Sequence, residues 1–369
     1  MIKLTVIHYY PIEYYPPVIN FLNTVASVES KIHTHVYTTH NKKNRKVYDL
    51  EKIEIKRYDA PEPKQTVLKK SILYAVYFLK TLYGLIKTRP HAIFYYESIS
   101  SWPVYVYSRL VNRKCKIFIH YHEYASSEWY ENYMKIVKYF HKLEKRQLYP
   151  HADWISQTNS NRLDLFSKDH PGVSPNKLQI LPNYPPKNWQ RQNENKTEFQ
   201  RKKIVYIGSL AFESTYIREL CDWIVSQEKY SLDIYSYNLH NDVKQYFKQL
   251  KSEKVTFHEG GIEYEEVPNI LSNYGIGVIL HKAFNENYKY NATNKLFEYL
   301  ACNLNIWFPE ELEGCWEYIT EETIPQVTKV DFLNISSTEL NSLSEKNLPY
   351  QAKQYWFEDA YSTILEKIQ

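Results

Sequence analysis

Glycine is scarce in this chain, at 8 of 369 residues. No GxGxxG stretch follows the first apolar run, Leu4-Thr-Val-Ile7, which argues against dinucleotide oxidoreduction. Cysteine is scarcer still. Cys115, Cys221, Cys302 and Cys315 are scattered without CxxC spacing. That argues against a zinc site or a disulfide framework and points to reduced thiols in a cytosolic setting. No apolar run approaches the roughly 20 residues needed to span a bilayer. The opening Met1-Ile-Lys-Leu-Thr-Val-Ile7 reads as a strand and lacks a signal-peptide pattern. An excess of one charge is missing too: 46 basic residues face 42 acidic ones, for a net +4. A nucleic-acid ligand needs a concentrated basic face, so that class is set aside.

Tyrosine is abundant, with 36 residues. Codon bias in an AT-rich genome accounts for most of it, since Lys, Asn and Ile are common too. Stacking on sugars, or a wet membrane-facing surface, is the functional alternative. The length favours two domains of roughly 150–200 residues.

Strand and helix signals alternate, which predicts a parallel α/β sheet with covering helices. Strands are expected at 4–7, 35–38, 92–95, 116–119 and 154–156, then at 203–207, 231–235, 255–257, 277–280 and 305–308. Helices fit at 17–27, 66–88, 102–112, 129–149 and 159–168, then at 215–229, 240–251, 264–272 and 294–302. The segment Tyr184-Pro-Pro-Lys-Asn-Trp-Gln-Arg-Gln-Asn-Glu-Asn-Lys196 is polar and reads as a linker. From Tyr350 to Gln369, apolar residues recur at helical spacing.

The most informative stretch is Asn291-Ala-Thr-Asn-Lys-Leu-Phe-Glu-Tyr-Leu-Ala-Cys-Asn303, followed by the buried strand around Ile306-Trp307-Phe308. A polar turn ends at Thr293-Asn294. A short helix follows, and Asn303 stops it. A helix start presents unpaired N–H groups and a positive dipole, which suit a diphosphate. One turn further in, Glu298 could accept hydrogen bonds from a ribose diol; a solvated helix glutamate is the plainer alternative. Gly208, after the first strand of the second half, lets a backbone approach a ligand. Gly260-Gly261 permits a tight strand–loop exit, or an ordinary turn.

In the first half, Ile117-Phe-Ile-His-Tyr-His-Glu123 ends a strand, where open parallel sheets place ligands. His122 is the candidate; a capping or structural histidine is the alternative. His120-x-His122 also suggests a metal pair, but no further ligand cluster stands out. The region 64–89 is a basic, apolar helix with Lys69, Lys70, Lys80, Lys87 and Arg89, and with Leu68, Ile72, Val76, Leu79, Tyr83 and Ile86 on one face. Covering the sheet is the default role, and docking on anionic lipid is the sharper one.

The 291–308 stretch resembles the nucleotide-binding segment of GT-B glycosyltransferases, especially the retaining family 4. The histidine-ended strand, Leu178-Gln-Ile-Leu-Pro-Asn183 and Gly260-Gly-Ile-Glu-Tyr-Glu-Glu-Val-Pro268 resemble other segments of that family. The resemblance implies an α/β GT-B fold, with two Rossmann-like domains facing each other across a cleft. It implies domains at 1–185 and 201–349, a 186–200 linker, and a 350–369 helix crossing back to the first domain. The implied donor site is Gly208, Ser209, Asn291, Ala292, Thr293, Asn294, Lys295 and Glu298, with Gly260, Gly261 and Ile262 beside the base. His122 is implied to be catalytic, with His8, Tyr9 and Glu123 on the acceptor side.

The implied activity is metal-independent, retaining transfer from a UDP- or GDP-linked sugar to a glycan or lipid-linked acceptor, as in lipopolysaccharide or capsule synthesis. No metal site and no cofactor beyond the nucleotide sugar are expected. The expected location is cytoplasmic, with peripheral membrane contact. Two departures stand against this. The family's arginine–lysine pair after the glycine is replaced by Ser209 and Glu213, leaving Arg218 or Lys295 as cations. The glutamate eight positions before Glu298 is Tyr290. A non-catalytic sugar-nucleotide-binding subunit and a GT-B sugar-nucleotide epimerase or hydrolase therefore remain rivals.

Overall fold

In the computed structural model, residues 2–27, 32–41, 46–190, 196–237, 239–337 and 348–369 are described. The chain divides into two units, Met1–Pro182 with Phe357–Gln369, and Asn183–Trp356.

The first unit holds seven parallel strands: β1 Ile2–His8, β2 Ile32–Thr39, β3 Ile53–Tyr58, β4 Ala92–Tyr96, β5 Lys116–His120, β6 Trp154–Gln157 and β7 Leu178–Ile180. Their order is β3-β2-β1-β4-β5-β6-β7. Helices cover both faces, so strand side chains are apolar in both directions. Along β4, Ala92, Phe94 and Tyr96 enter one core, while Ile93 and Tyr95 enter the other. The terminal helix, Phe357–Ile368, buries Phe357, Tyr361, Ile364, Leu365 and Ile368 in the same core as Phe21 and Phe94.

The second unit holds β8 Lys203–Ile207, β9 Ser231–Ser236, β10 Val255–Glu259, β11 Ile276–Val278, β12 Asn305–Pro309 and β13 Val327–Val330. Their order, β10-β9-β8-β11-β12-β13, repeats the Rossmann pattern. In both sheets strand order reverses beside the first strand, between β1 and β4 and between β8 and β11. Parallel α/β sheets bind ligands beyond the carboxyl ends at that reversal.

The segment read as a linker is anchored on the second unit. Trp189 is buried in that core against Tyr264, with ring centroids 4.7 Å apart. Lys196 donates to the carbonyls of Tyr274 (2.6 Å) and Asn303 (3.0 Å).

The helix expected over 129–149 is in pieces: Ser127–Asn132, Lys135–Leu143, a π-turn at Glu144–Leu148 and a 3-10 turn at Tyr149–His151. Asn132 Nδ2 donates to the Glu128 carbonyl, and Met134 is extended, with ψ 132°. An Asn side chain that bonds the backbone competes with the helix ladder. The π-turn carries Glu144, which is fully buried and accepts hydrogen bonds from the Tyr95 hydroxyl (2.9 Å) and from Ser98.

Candidate functional site

Two groups of side chains stand at the two sheet reversals, and each is built within its own unit.

In the first unit, His8 ends β1, Glu97 follows β4, and His122 lies two residues beyond β5. The backbone of His122 is held from both sides. Its N–H donates to Glu97 Oε1 (2.8 Å). Its carbonyl accepts from Arg162 Nη1 (3.0 Å), which also donates to Thr158 Oγ1 (2.9 Å). The ring stacks on Tyr96 and Tyr15, each at 4.9 Å between centroids. His8 and His120 meet it edge-on at 5.4 and 5.1 Å.

Burial keeps all three imidazoles neutral. It pushes His8 down to about 4, against the pull of the Tyr10 carbonyl. It pushes His120 down to about 3 and His122 well below its ordinary range, and neighbouring imidazoles and Arg162 lower both further. His8 Nδ1 pairs with the Tyr10 carbonyl (2.6 Å), and His120 Nδ1 with Ser156 Oγ (2.9 Å). The Nε2 atoms of His8, His120 and His122 are buried without a hydrogen-bond partner among the described residues. Buried polar atoms are normally satisfied, so these three nitrogens carry unused hydrogen-bonding capacity. Among the described residues, no group of three or more His, Cys, Asp or Glu side chains could hold a metal ion.

Sequence reasoning passed over Glu97. Its backbone has φ 61°, a left-handed conformation that a non-glycine residue rarely adopts. Burial pushes its carboxyl up to about 8, although the backbone N–H groups of His122 and Glu123 favour the charged form. The available signal was a lone acid at the end of the apolar run Ala92-Ile-Phe-Tyr-Tyr96. Of the acceptor-side candidates, Glu123 is exposed. Tyr9 is buried among Tyr74, Tyr77 and Phe78.

In the second unit, Thr293 caps the helix Asn294–Ala301, its side chain accepting from the Lys295 N–H. Asn303, with φ 59°, takes the left-handed turn that ends it. Glu298 is 2% exposed, unlike a solvated helix glutamate. Its carboxylate accepts from Asn294 Nδ2 (2.8 Å) and Lys295 Nζ (3.2 Å). Tyr299 ties this helix to the end of β8 by accepting the Ile207 N–H at 3.3 Å, one residue before Gly208. Ser209 offers its carbonyl to the Tyr206 hydroxyl (2.7 Å).

His281, also missed, pairs with Thr215 in an isolated bridge, and burial followed by the charge of Lys295 pushes it down to about 4. The charge of Lys295 is therefore felt at His281, while its ammonium bonds Glu298. Arg218 is engaged elsewhere: its guanidinium lies over the Phe212 ring at 4.2 Å. Asn291 accepts from the Cys315 thiol through its carbonyl (3.5 Å), and Ala292 is buried. Gly260 and Gly261 have φ +104° and +67°, so both positions require glycine's freedom. Ile262 is a core residue of this unit.

No protein-family model matches this chain, and no curated protein does. Solved structures do. A lipopolysaccharide outer core galactosyltransferase, WaaB in its apo form, is 14% identical with a TM-score of 0.65, covering 99% of this chain and 100% of that one. Anabaena HepE in complex with UDP and glucose is 10% identical with a TM-score of 0.67, covering 100% and 99%. The UDP-GlcNAc 2-epimerase of Neisseria meningitidis, bound to UDP-GlcNAc, is 12% identical with a TM-score of 0.58, covering 100% and 99%. At such identities the likeness speaks for architecture, and with the two parallel sheets it shows that the chain has the GT-B fold of paired Rossmann-like units.

Proposed function

We propose that this protein is a glycosyltransferase that moves a sugar from a nucleotide-sugar donor to a glycan or lipid-linked acceptor. The observation that carries the reading is Glu298: buried one turn inside a helix start at a sheet reversal, and held by Asn294 and Lys295. A ribose diol would exchange into that carboxylate's hydrogen bonds, and the helix start and Lys295 would face the diphosphate. The likeness to structures holding UDP, and UDP-GlcNAc, supports this assignment.

In the reaction the bond between the sugar's anomeric carbon and the phosphate oxygen breaks, the nucleoside diphosphate leaves with the electron pair, and an acceptor hydroxyl bonds to that carbon and passes its proton to the departing phosphate oxygen. Positive dipoles and Lys295 stabilise the leaving diphosphate without reorganising. Neutral His122, fixed through both of its peptide groups, is assigned to the hydroxyls of the transferred sugar. Transfer with retention and without a metal belongs to this proposal, and activity should survive EDTA; loss with rescue by magnesium or manganese would refute that part.

A second reading, a sugar-nucleotide epimerase or hydrolase, is favoured by the likeness to the epimerase. Incubation with a panel of nucleotide sugars, with and without acceptor, separates the readings. Transfer to acceptor supports the proposal. An epimerised donor or released free sugar supports the second reading. Donor binding without any product identifies a non-catalytic subunit.

A further inference from the structure

The helix Val67–Thr88 carries two apolar faces, and among the described residues one is buried and the other exposed. Tyr77, Phe78, Thr81, Gly84 and Leu85 are buried toward the sheet. Gly84 sits so close to Tyr37 of β2 that an added Cβ would lie 2.0 Å from its hydroxyl. The sheet is thus covered by a face other than the one read from the sequence. Leu68, Ile72, Val76, Leu79, Tyr83 and Ile86 recur at steps of four, four, three, four and three, and all are exposed, Leu68 at 72% and Tyr83 at 66%. Six large apolar side chains in one stripe along a helix of 22 residues, roughly 33 Å long, are more than scattered surface residues.

Along the helix itself the charge has one sign. The helix contains Lys69, Lys70, Lys80 and Lys87, Arg89 follows it, and no acid lies between Val67 and Thr88. The helix Ser101–Leu110 packs beside it. That helix ends in exposed Leu110 and Val111, with Arg109, Arg113 and Lys114 around them.

We infer that this face lies in the surface of an anionic lipid bilayer. The stripe lies along the outer side of one helix, so its side chains can sink side by side into a plane. Lysines flanking an apolar stripe extend their ammonium groups to lipid phosphates while their stems stay apolar, and Tyr83 suits the boundary between hydrocarbon and water. A second copy would bring the same cations against these. No helix among the described residues is long and apolar enough to cross a membrane, so the contact is peripheral.

The test is flotation of the full chain with vesicles of phosphatidylglycerol and phosphatidylcholine in equal parts, against phosphatidylcholine alone. No nucleotide sugar is needed, so the result stands apart from the proposed activity. Binding to the anionic vesicles is expected and should fade with added salt. Lys69→Gln, Lys80→Gln and Lys87→Gln together should lower the vesicle association constant at least tenfold. Ile72→Ser, Leu79→Ser and Ile86→Ser together should abolish binding, with the thermal transition retained because all three side chains are already exposed. The inference is overturned if the wild type stays unbound at low salt, or if binding ignores both sets of substitutions. A dimer that the serine set dissolves, without vesicle binding, assigns the face to a second copy instead.

Discussion

The two sheet reversals carry opposite solutions to presenting polar groups. In the first unit, His8, His120 and His122 are buried, neutral and packed against tyrosines, and their Nε2 atoms have no partner among the described residues. In the second, Glu298 is buried but already holds Asn294 and Lys295. The first arrangement presents hydrogen-bonding atoms in a dry setting, where small displacements matter most. The second can release partners it already has when a ligand arrives. Under the proposed function this difference becomes a testable division of labour, with chemistry at the histidines and affinity at the helix start.

Removing His122 should produce the largest effect. His122→Ala is expected to lower turnover by roughly 10²–10⁴-fold, the scale of a positioned acid–base or hydrogen-bonding group. Donor affinity should change little, because the donor helix belongs to the other unit. Saturation kinetics and calorimetry on the folded variant check both halves. Equal losses in both quantities would break the division.

Glu298→Ala should show the reverse pattern: donor binding weaker by about 1–3 kcal/mol, with turnover at saturating donor nearly kept. The substitution also frees Lys295 for phosphate, so the loss should fall toward the lower end. Glu298→Gln keeps an acceptor oxygen and should fall between the two. Calorimetry with the preferred nucleotide sugar decides; unchanged affinity removes Glu298 from the site.

The pH dependence of stability sharpens the contrast, because the first unit should dominate it. The histidine pKa values lie below the usual 6.5 when folded, so the unfolded chain takes up protons that the fold refuses. Their contribution is present above about 6.5 and is lost as pH falls toward 4 and 3. His170 and His281 act in the same direction. Glu97, raised to about 8, does the opposite: its contribution is present below about 4.5 and is lost as pH rises through 8. Between 4.5 and 6.5 several histidines outweigh one carboxyl, so the melting temperature should climb to about pH 6.5 and then decline toward 8. In Glu97→Gln the decline should vanish while the acid limb stays. An alkaline limb that persists in this variant would show that Glu97 is not its source.

What was readable in the sequence follows the same division. The helix start at Thr293 and its stop at Asn303 are local, and local signals show in sequence. The inner strands also show, because parallel strands buried on both faces make short apolar runs. β3, β7 and β13 were missed. β3 reads Ile53-Glu-Ile-Lys-Arg-Tyr58 because an edge strand needs fewer apolar residues, β7 has only three residues, and β13 is another edge. The clamp on His122 is not local. Glu97 and Arg162 lie 25 and 40 residues away along the chain, and only the sheet order brings them together. The helix at 67–88 was seen, but its periodicity fits two faces, and packing alone chose which one turned inward.

The smallest effect is expected at Arg218, the cation nearest in sequence to the phosphate pair that this chain lacks. Its guanidinium lies 4.2 Å from the centroid of Phe212 and 6.0 Å from that of Tyr246, and the residue is exposed. A cation over an aromatic face at an exposed site contributes roughly 0.5–1 kcal/mol. Arg218→Ala should therefore lower stability by about that amount and leave donor affinity within about twofold, a change below roughly 0.5 kcal/mol. Lys295→Ala should cost more affinity, since Lys295 already holds Glu298 at the helix start. Calorimetry on the two variants side by side separates them. If Arg218→Ala weakens the donor as much as Lys295→Ala, the guanidinium leaves Phe212 for the diphosphate, and the second unit reorganises on binding.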